Sequence, residues 1–227
     1  MPTLYVVGTP IGNLEDISLR ALRILKESDV VVCEDTRVTQ RLLKHYGIVG
    51  KQLTTYNEQK SGISAEKIIK LLEDGKNLAL VSDAGTPAIS DPGAMLVGEV
   101  RKKLSNKVKI ESVPGPSALT TALSISGIPA SEFIFLGFLP HKKGRETLFK
   151  EIALSKRAVV FYESPHRLLK TLISLSKHVP TRQIRVVKEL TKIYEEVISG
   201  TPEEIMLFFE KHKDKARGEF VIIISAK

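Results

Sequence analysis

At 227 residues, with 42% hydrophobic and 26% charged side chains, the chain has the balance of a globular protein of one large domain or two small ones. Its single cysteine, Cys33, excludes an intrachain disulfide framework and a cysteine-based zinc site; the histidines lack metal-ligand spacing, so no metal is expected. The formal net charge of +8, most of it carried by residues 114–227, suits an anionic partner such as RNA.

No run of about 18 apolar residues is present, so no membrane span is expected. Met1-Pro-Thr-Leu-Tyr-Val-Val has no basic n-region and no cleavage site, so no signal peptide is expected. Leu4–Val7 reads as a first strand and Gly8–Leu14 as a small-residue loop. A helix follows, with Ser18 as N-cap and Leu19, Leu22 and Leu25 on one face. Asp29–Cys33 is a second strand, ending in the charged Glu34-Asp-Thr-Arg37. Next come a helix near Val38–Tyr46 closed by Gly47, a short strand at Gln52–Tyr56, and a helix over Ala65–Glu73 with Gly75 as C-cap. Leu78–Val81 is a buried strand that breaks at Ser82-Asp83 into a Gly/Pro loop. Asp91 as N-cap and Pro92 at N1 predict a helix near Ala94–Leu104. Val108–Val113 closes a run of βα alternation, the mark of a parallel sheet covered by helices.

Pro114-Gly-Pro116 is the linker candidate, which divides the chain into an α/β domain at 1–113 and a second at 114–227. Ser117 opens a helix ending at Gly127. Phe133–Phe138 is a strand, Leu139–Arg145 a basic loop, and Glu146–Leu154 a helix. A strand at Arg157–Tyr162 leads into Glu163-Ser-Pro-His-Arg167, which opens a helix to about Lys177. Gln183–Lys188 and Ile193–Ile198 are expected as an antiparallel pair. Thr201-Pro-Glu-Glu204 has capping-box form, and Phe220–Ser225 is a final strand. The second domain is thus expected to carry a mixed sheet, with a cleft between the two domains.

The loops lack the common signatures. Gly8-Thr-Pro-Ile-Gly12 is neither a P-loop nor a Gly-x-Gly-x-x-Gly fingerprint, and no Gly-x-Ser-x-Gly elbow exists. What remains is several Gly/Pro loops at strand ends, which suit a neutral or cationic cofactor held largely by backbone groups. Gly85 permits close backbone approach, and Asp83 offers a carboxylate. An ordinary βα turn is the alternative for the Leu78–Gly93 stretch.

The set of motifs is more specific than its members. Val6-Val-Gly-Thr-Pro-Ile-Gly-Asn-Leu14, Glu34-Asp-Thr-Arg37, Val81–Gly93, Val113-Pro-Gly-Pro-Ser-Ala118, Gly137-Phe-Leu-Pro140 and Phe161-Tyr-Glu-Ser-Pro-His-Arg167 occur in this order. In this the chain resembles, over essentially its whole length, the RsmI-type ribosomal RNA small-subunit methyltransferases of the tetrapyrrole methylase superfamily. The resemblance implies two α/β domains of the class III methyltransferase type. It implies methyl transfer from S-adenosylmethionine to a cytidine ribose 2′-hydroxyl in the decoding centre of 16S rRNA, within the 30S subunit. A homodimer and a cytoplasmic location are implied too. Cofactor contacts carried over by the resemblance are Ile11, Asp83, Gly85, Ala88, Ser117, Ala118, Glu163 and Leu190.

A ribose hydroxyl is a weak nucleophile, and a general base contributes roughly 10²–10⁴-fold. Glu34, Asp35, Glu163, Lys188 and Glu189 are the candidates, each equally readable as a salt-bridged charge at a strand end. Arg37 is a candidate phosphate partner. His141, Lys142, Lys143 and Arg145 either grip the rRNA backbone or form a solvated loop. Two other readings stay open: a methylase of a small acidic substrate such as a corrin-ring precursor, and a non-catalytic RNA-binding module.

Overall fold

The computed structural model describes residues 1–56 and 61–227. They form two compact units, Met1–Ser117 and Ala118–Lys227. The first unit therefore runs four residues past Val113 and includes the Pro114–Pro116 segment.

The first unit holds strands β1 (Thr3–Val7), β2 (Val30–Cys33), β3 (Gln52–Thr55), β4 (Leu78–Leu80) and β5 (Lys109–Val113). All pair in parallel, in the order β3-β2-β4-β1-β5. Its helices are α1 (Leu19–Glu27), α2 (Thr36–His45), α3 (Ser61–Glu73) and α4 (Gly93–Leu104). They cover both faces, which is why β2 reads as an unbroken apolar run, Val-Val-Val-Cys. Val30 and Val32 pack with Ile68 and Leu72 of α3 and Leu96 and Val100 of α4. Val31 and Cys33 pack on the opposite face with Ala21, Ile24 and Leu25 of α1 and Leu43 of α2.

Two local expectations need correction. Helix α1 starts from Ser18, whose hydroxyl accepts the Ala21 N–H at 3.0 Å. It buries Ala21, Ile24 and Leu25, whereas Leu19 is 86% exposed. At 3.6 residues per turn Leu19 stands about 160° around the helix from Ala21 and about 140° from Ile24, on the side opposite the buried stripe. In α4 the cap position is Pro92 rather than Asp91, and the helix begins at Gly93. Asp91 still serves the start, because its Oδ1 accepts the Gly93 N–H at 2.7 Å.

The second unit contains α5 (Ala118–Ser126), β6 (Phe133–Phe138), α6 (Arg145–Leu154), β7 (Ala158–Glu163), α7 (Leu168–His178), β8 (Ile184–Lys188), β9 (Glu196–Gly200), α8 (Pro202–Lys211) and β10 (Phe220–Ile224). The sheet order is β6-β7-β10-β8-β9. Only β6 and β7 pair in parallel, so the sheet is mixed. Helix α8 carries the expected capping box between Thr201 and Glu204. The β8–β9 antiparallel pair also forms, but β9 starts at Glu196 and not at Ile193. The backbone turns first, with Glu189 and Thr191 at φ +51° and +64°. The Glu195 carboxylate accepts the Thr191 N–H at 2.6 Å, and the intervening Ile193 is left 95% exposed.

Candidate functional site

In an open parallel sheet, ligands sit at the carboxyl edge where neighbouring strands send their connections in opposite directions. In the first unit that place lies between β2 and β4. From β2 the chain moves outward to β3, whereas from β4 it turns back toward β5. Glu34 and Asp35 follow β2, and Ser82 and Asp83 follow β4. The two strand ends are laced together: the Asp35 N–H donates to Asp83 Oδ1 at 3.1 Å, and the Asp83 N–H donates to Glu34 Oε1 at 3.4 Å. Burial pushes the Glu34 carboxyl up, and the neighbouring Asp91 and Asp83 carboxylates push it the same way.

Asp35 has a different task. Its carboxylate caps α2 by accepting the Arg37 N–H at 2.8 Å. The Arg37 guanidinium also grips it, with Nη2 at 2.7 Å from Oδ2 and Nε at 3.1 Å from Oδ1. These bonds hold Asp35 at a pKa of about 2. A carboxylate that acidic is a poor proton acceptor near neutral pH. Arg37 is thus paired with Asp35 while its side chain stays open to solvent.

Two small-residue loops close over this edge. Thr9 and Gly85 exchange backbone hydrogen bonds, Thr9 N–H to Gly85 O at 2.9 Å and Gly85 N–H to Thr9 O at 3.1 Å. Gly85 has φ +81°, and a Cβ there would lie 3.2 Å from Ile11 Cγ2 and 3.6 Å from Pro116 O. Ala88 and Ser90 also take left-handed backbone, at φ +73° and +65°, each at a cost of about 1–2 kcal/mol. Asp91 holds this strained turn, its Oδ1 accepting the Ala88 N–H at 2.9 Å. The Thr86 hydroxyl donates to Pro116 O at 2.9 Å and ties in the segment that leads to Ser117.

Ile11, Asp83, Gly85 and Ala88 therefore gather at one edge of the first unit. Ser117 is that unit's last residue, and Ala118 is the first of α5. Sequence reasoning missed Thr9, the buried partner of Gly85, and gave Asp91 only a capping role. Strain at Ala88 leaves no mark in the sequence. The edge offers backbone groups, a glycine that admits no side chain without strain, and the carboxylates of Glu34, Asp83 and Asp91. That donor set fits a cationic ligand held largely by main chain.

In the second unit the charged residues divide differently. Glu163 ends β7 with its side chain wholly buried. Its Oε1 accepts the Ser164 N–H at 2.9 Å and meets Arg167 Nε at 3.1 Å. Its Oε2 accepts the Thr171 hydroxyl and lies 3.8 Å from Arg145 Nη2. A carboxylate with its lone pairs so occupied is a structural anchor. Arg145 is not part of the exposed loop, as the sequence suggests, but a support beneath it. Its Nη1 donates to Pro140 O at 3.2 Å, its Nη2 to the Thr171 hydroxyl at 2.6 Å, and its guanidinium lies 5.1 Å from the Phe149 ring centroid. His141, Lys142 and Lys143 are exposed.

Lys188 and Glu163 both lie opposite Phe220 in the register of β10, so they flank it at one end of the sheet. Lys188 is buried, as is Leu190. Burial pushes the Glu189 carboxyl up, but the Glu219 N–H at 3.0 Å and the Lys192 amine at 3.0 Å outweigh it, and the net shift is downward. Glu189 thus holds the turn before β9.

Residues 3–206 match the family model of the tetrapyrrole (corrin/porphyrin) methylases. The chain belongs to that family. Within it, the chain is similar to proteins named ribosomal RNA small subunit methyltransferase I. Identity is 45% to that of Thermotoga maritima, covering 100% of both chains, and 46% to that of Hydrogenobaculum sp., covering 98% of this chain and 95% of the relative. Among solved structures, uroporphyrin-III C-methyltransferase from Thermus thermophilus complexed with S-adenyl homocysteine shares the fold. The TM-score is 0.65 at 19% identity, covering 98% of this chain and 97% of that one.

Proposed function

We propose that the protein transfers a methyl group from S-adenosylmethionine to the ribose 2′-hydroxyl of a cytidine in the decoding centre of 16S rRNA, acting on the 30S subunit as a homodimer. The observation that carries the cofactor half is the carboxyl edge of β2 and β4. Gly85, pressed toward Ile11, leaves room for main-chain contact only, and the carboxyl groups of Glu34, Asp83 and Asp91 lie within electrostatic reach of one another at the same edge. The bound cofactor supplies an activated methyl on a sulfonium cation. Ile11, Gly85 and Ala88 would hold it by shape and main chain, while Glu34 and Asp83 favour its positive charge.

The substrate half is supported by the names of the full-length relatives and by the charge of the second half of the chain. Methyl transfer is an in-line displacement, for which alignment of donor and acceptor supplies much of the rate. Of the five candidate bases, Asp35, Glu163 and Glu189 are spent on a helix cap, a buried ion pair and the turn before β9. Glu34, whose proton affinity is raised, and the buried Lys188 are the candidates that remain.

Labelled S-adenosylmethionine offered with 30S subunits, and separately with a tetrapyrrole, tests this reading. Label transferred to the subunits is expected. Transfer to the tetrapyrrole alone would overturn it, and binding of RNA without any transfer would favour a non-catalytic module.

A further inference from the structure

The two arginines that flank Glu163 differ in how fully they are used. Arg145 spends its guanidinium on Pro140 O, the Thr171 hydroxyl, the Glu163 carboxylate and the Phe149 ring. Arg167 spends Nε on Glu163 Oε1 at 3.1 Å and Nη2 on Leu139 O at 2.6 Å. Among the described residues its Nη1 meets only His141 Nε2, at 3.5 Å. A guanidinium N–H therefore stands beside an imidazole on an exposed turn, and among the described residues no carbonyl or carboxylate receives it. Lys142 and Lys143 follow on the same turn, and Gly144 begins α6 without a side-chain cap. One buried carboxylate against two guanidinium groups leaves the cluster net positive.

We propose that the Arg167–His141 edge of the 139–144 turn seats an RNA phosphodiester, and that Glu163 is the positioning residue that holds the seat. This rests on the reading of RNA as the substrate. Glu163 fixes Arg167 directly. Through Thr171 it fixes Arg145, because the Thr171 hydroxyl donates to Glu163 and accepts from Arg145. The arginines in turn hold the carbonyls of Leu139 and Pro140 at the root of the turn. A phosphate oxygen would complete the unused Nη1 donor and take a second bond from the His141 ring. A guanidinium fixed on two sides loses little freedom when it binds a third acceptor.

Equilibrium binding of a mixed-sequence single-stranded RNA across a salt series tests the seat without any methyl transfer. Arg167→Gln and His141→Ala are each expected to weaken binding, Arg167→Gln by roughly tenfold, the scale of one charge-assisted hydrogen bond. For Arg167→Gln the slope of log K against log salt should fall by about 0.7, the value of one single-strand phosphate contact. Glu163→Gln should raise the KM for 30S subunits by a larger factor than it changes kcat or S-adenosylmethionine affinity. Its hydrogen exchange over residues 139–144 should quicken. A kcat or cofactor-affinity loss with unchanged KM would make Glu163 part of the reacting centre and overturn the positioning role. If Glu163→Gln unfolds, the exposed His141→Ala variant decides. Unchanged affinity and slope in both His141→Ala and Arg167→Gln would overturn the seat. Altered slopes together with no methylation by the original protein would leave the seat standing and remove the methyltransferase reading.

Discussion

Gly8 and Gly115 stand back to back. A Cβ on Gly8 would lie 2.7 Å from Gly115 Cα, and one on Gly115 would lie 2.9 Å from the carbonyl carbon of Gly8. Gly8 also donates its N–H to Val113 O at 3.1 Å, so the ends of β1 and β5 are locked at this approach. Because the opposing atoms are backbone, no side-chain rotation relieves a clash. Gly8→Ala and Gly115→Ala are each expected to destabilise the first unit by about 1–3 kcal/mol, the usual cost of overpacking. Their effects should not add, since either one opens the same gap. Denaturant melts of the two single variants and the double variant check this; additive losses would mean the two glycines are independent.

Gly85 combines positive φ with a crowded Cβ position, so Gly85→Val is strained by backbone and by contact with Ile11. The expected result is a folded protein that no longer binds S-adenosylmethionine. Calorimetric titration together with circular dichroism reads both. Near-original affinity in a folded variant would place the cofactor elsewhere.

Glu34 gives a pH signature. Its folded-state pKa is raised, chiefly by burial and then by Asp91. The folded protein therefore favours the protonated form more than the unfolded chain does. Its contribution is fully present below the unfolded pKa and is lost as pH rises through the folded one. Glu34→Gln, which keeps an acceptor for the Asp83 N–H, should raise the Tm at about pH 8, with the gain shrinking toward about pH 4. The same variant should bind the cationic cofactor more weakly. A Tm gain independent of pH would separate the effect from the Glu34 charge.

The proposed homodimer is a closed two-fold pair, the commonest assembly of soluble chains. Light scattering at micromolar concentration should report twice the chain mass of 25.1 kDa. A monomer at that concentration would remove this part of the proposal.

Much of this structure was legible in the residues. The alternation of apolar runs with amphipathic stretches located the ten strands of the described residues, most clearly β2 and β10, which are buried throughout and continuous in apolar residues. Caps at Ser18 and Thr201 were readable since each satisfies orphan helix N–H groups with a side chain at fixed spacing. Ile193 misled the reading of β9, as an exposed apolar residue imitates a strand when its neighbours alternate. At the candidate site, Gly85 was legible as a close approach, but the Asp35–Arg37 clasp and the burial of Arg145 were not. Charge in a sequence does not tell which side of a loop it faces, and Arg145 turns inward only because Glu163, eighteen positions on, is buried beneath it.

The central claim is tested most directly by mapping methyl groups on 16S rRNA from 30S subunits incubated with the protein and S-adenosylmethionine. Nuclease digestion followed by mass spectrometry locates each methyl. The predicted result is one added methyl on the 2′-oxygen of a decoding-centre cytidine, absent when Gly85→Val replaces the original protein. A methyl on a base carbon or nitrogen, or no added methyl on the rRNA, would contradict it.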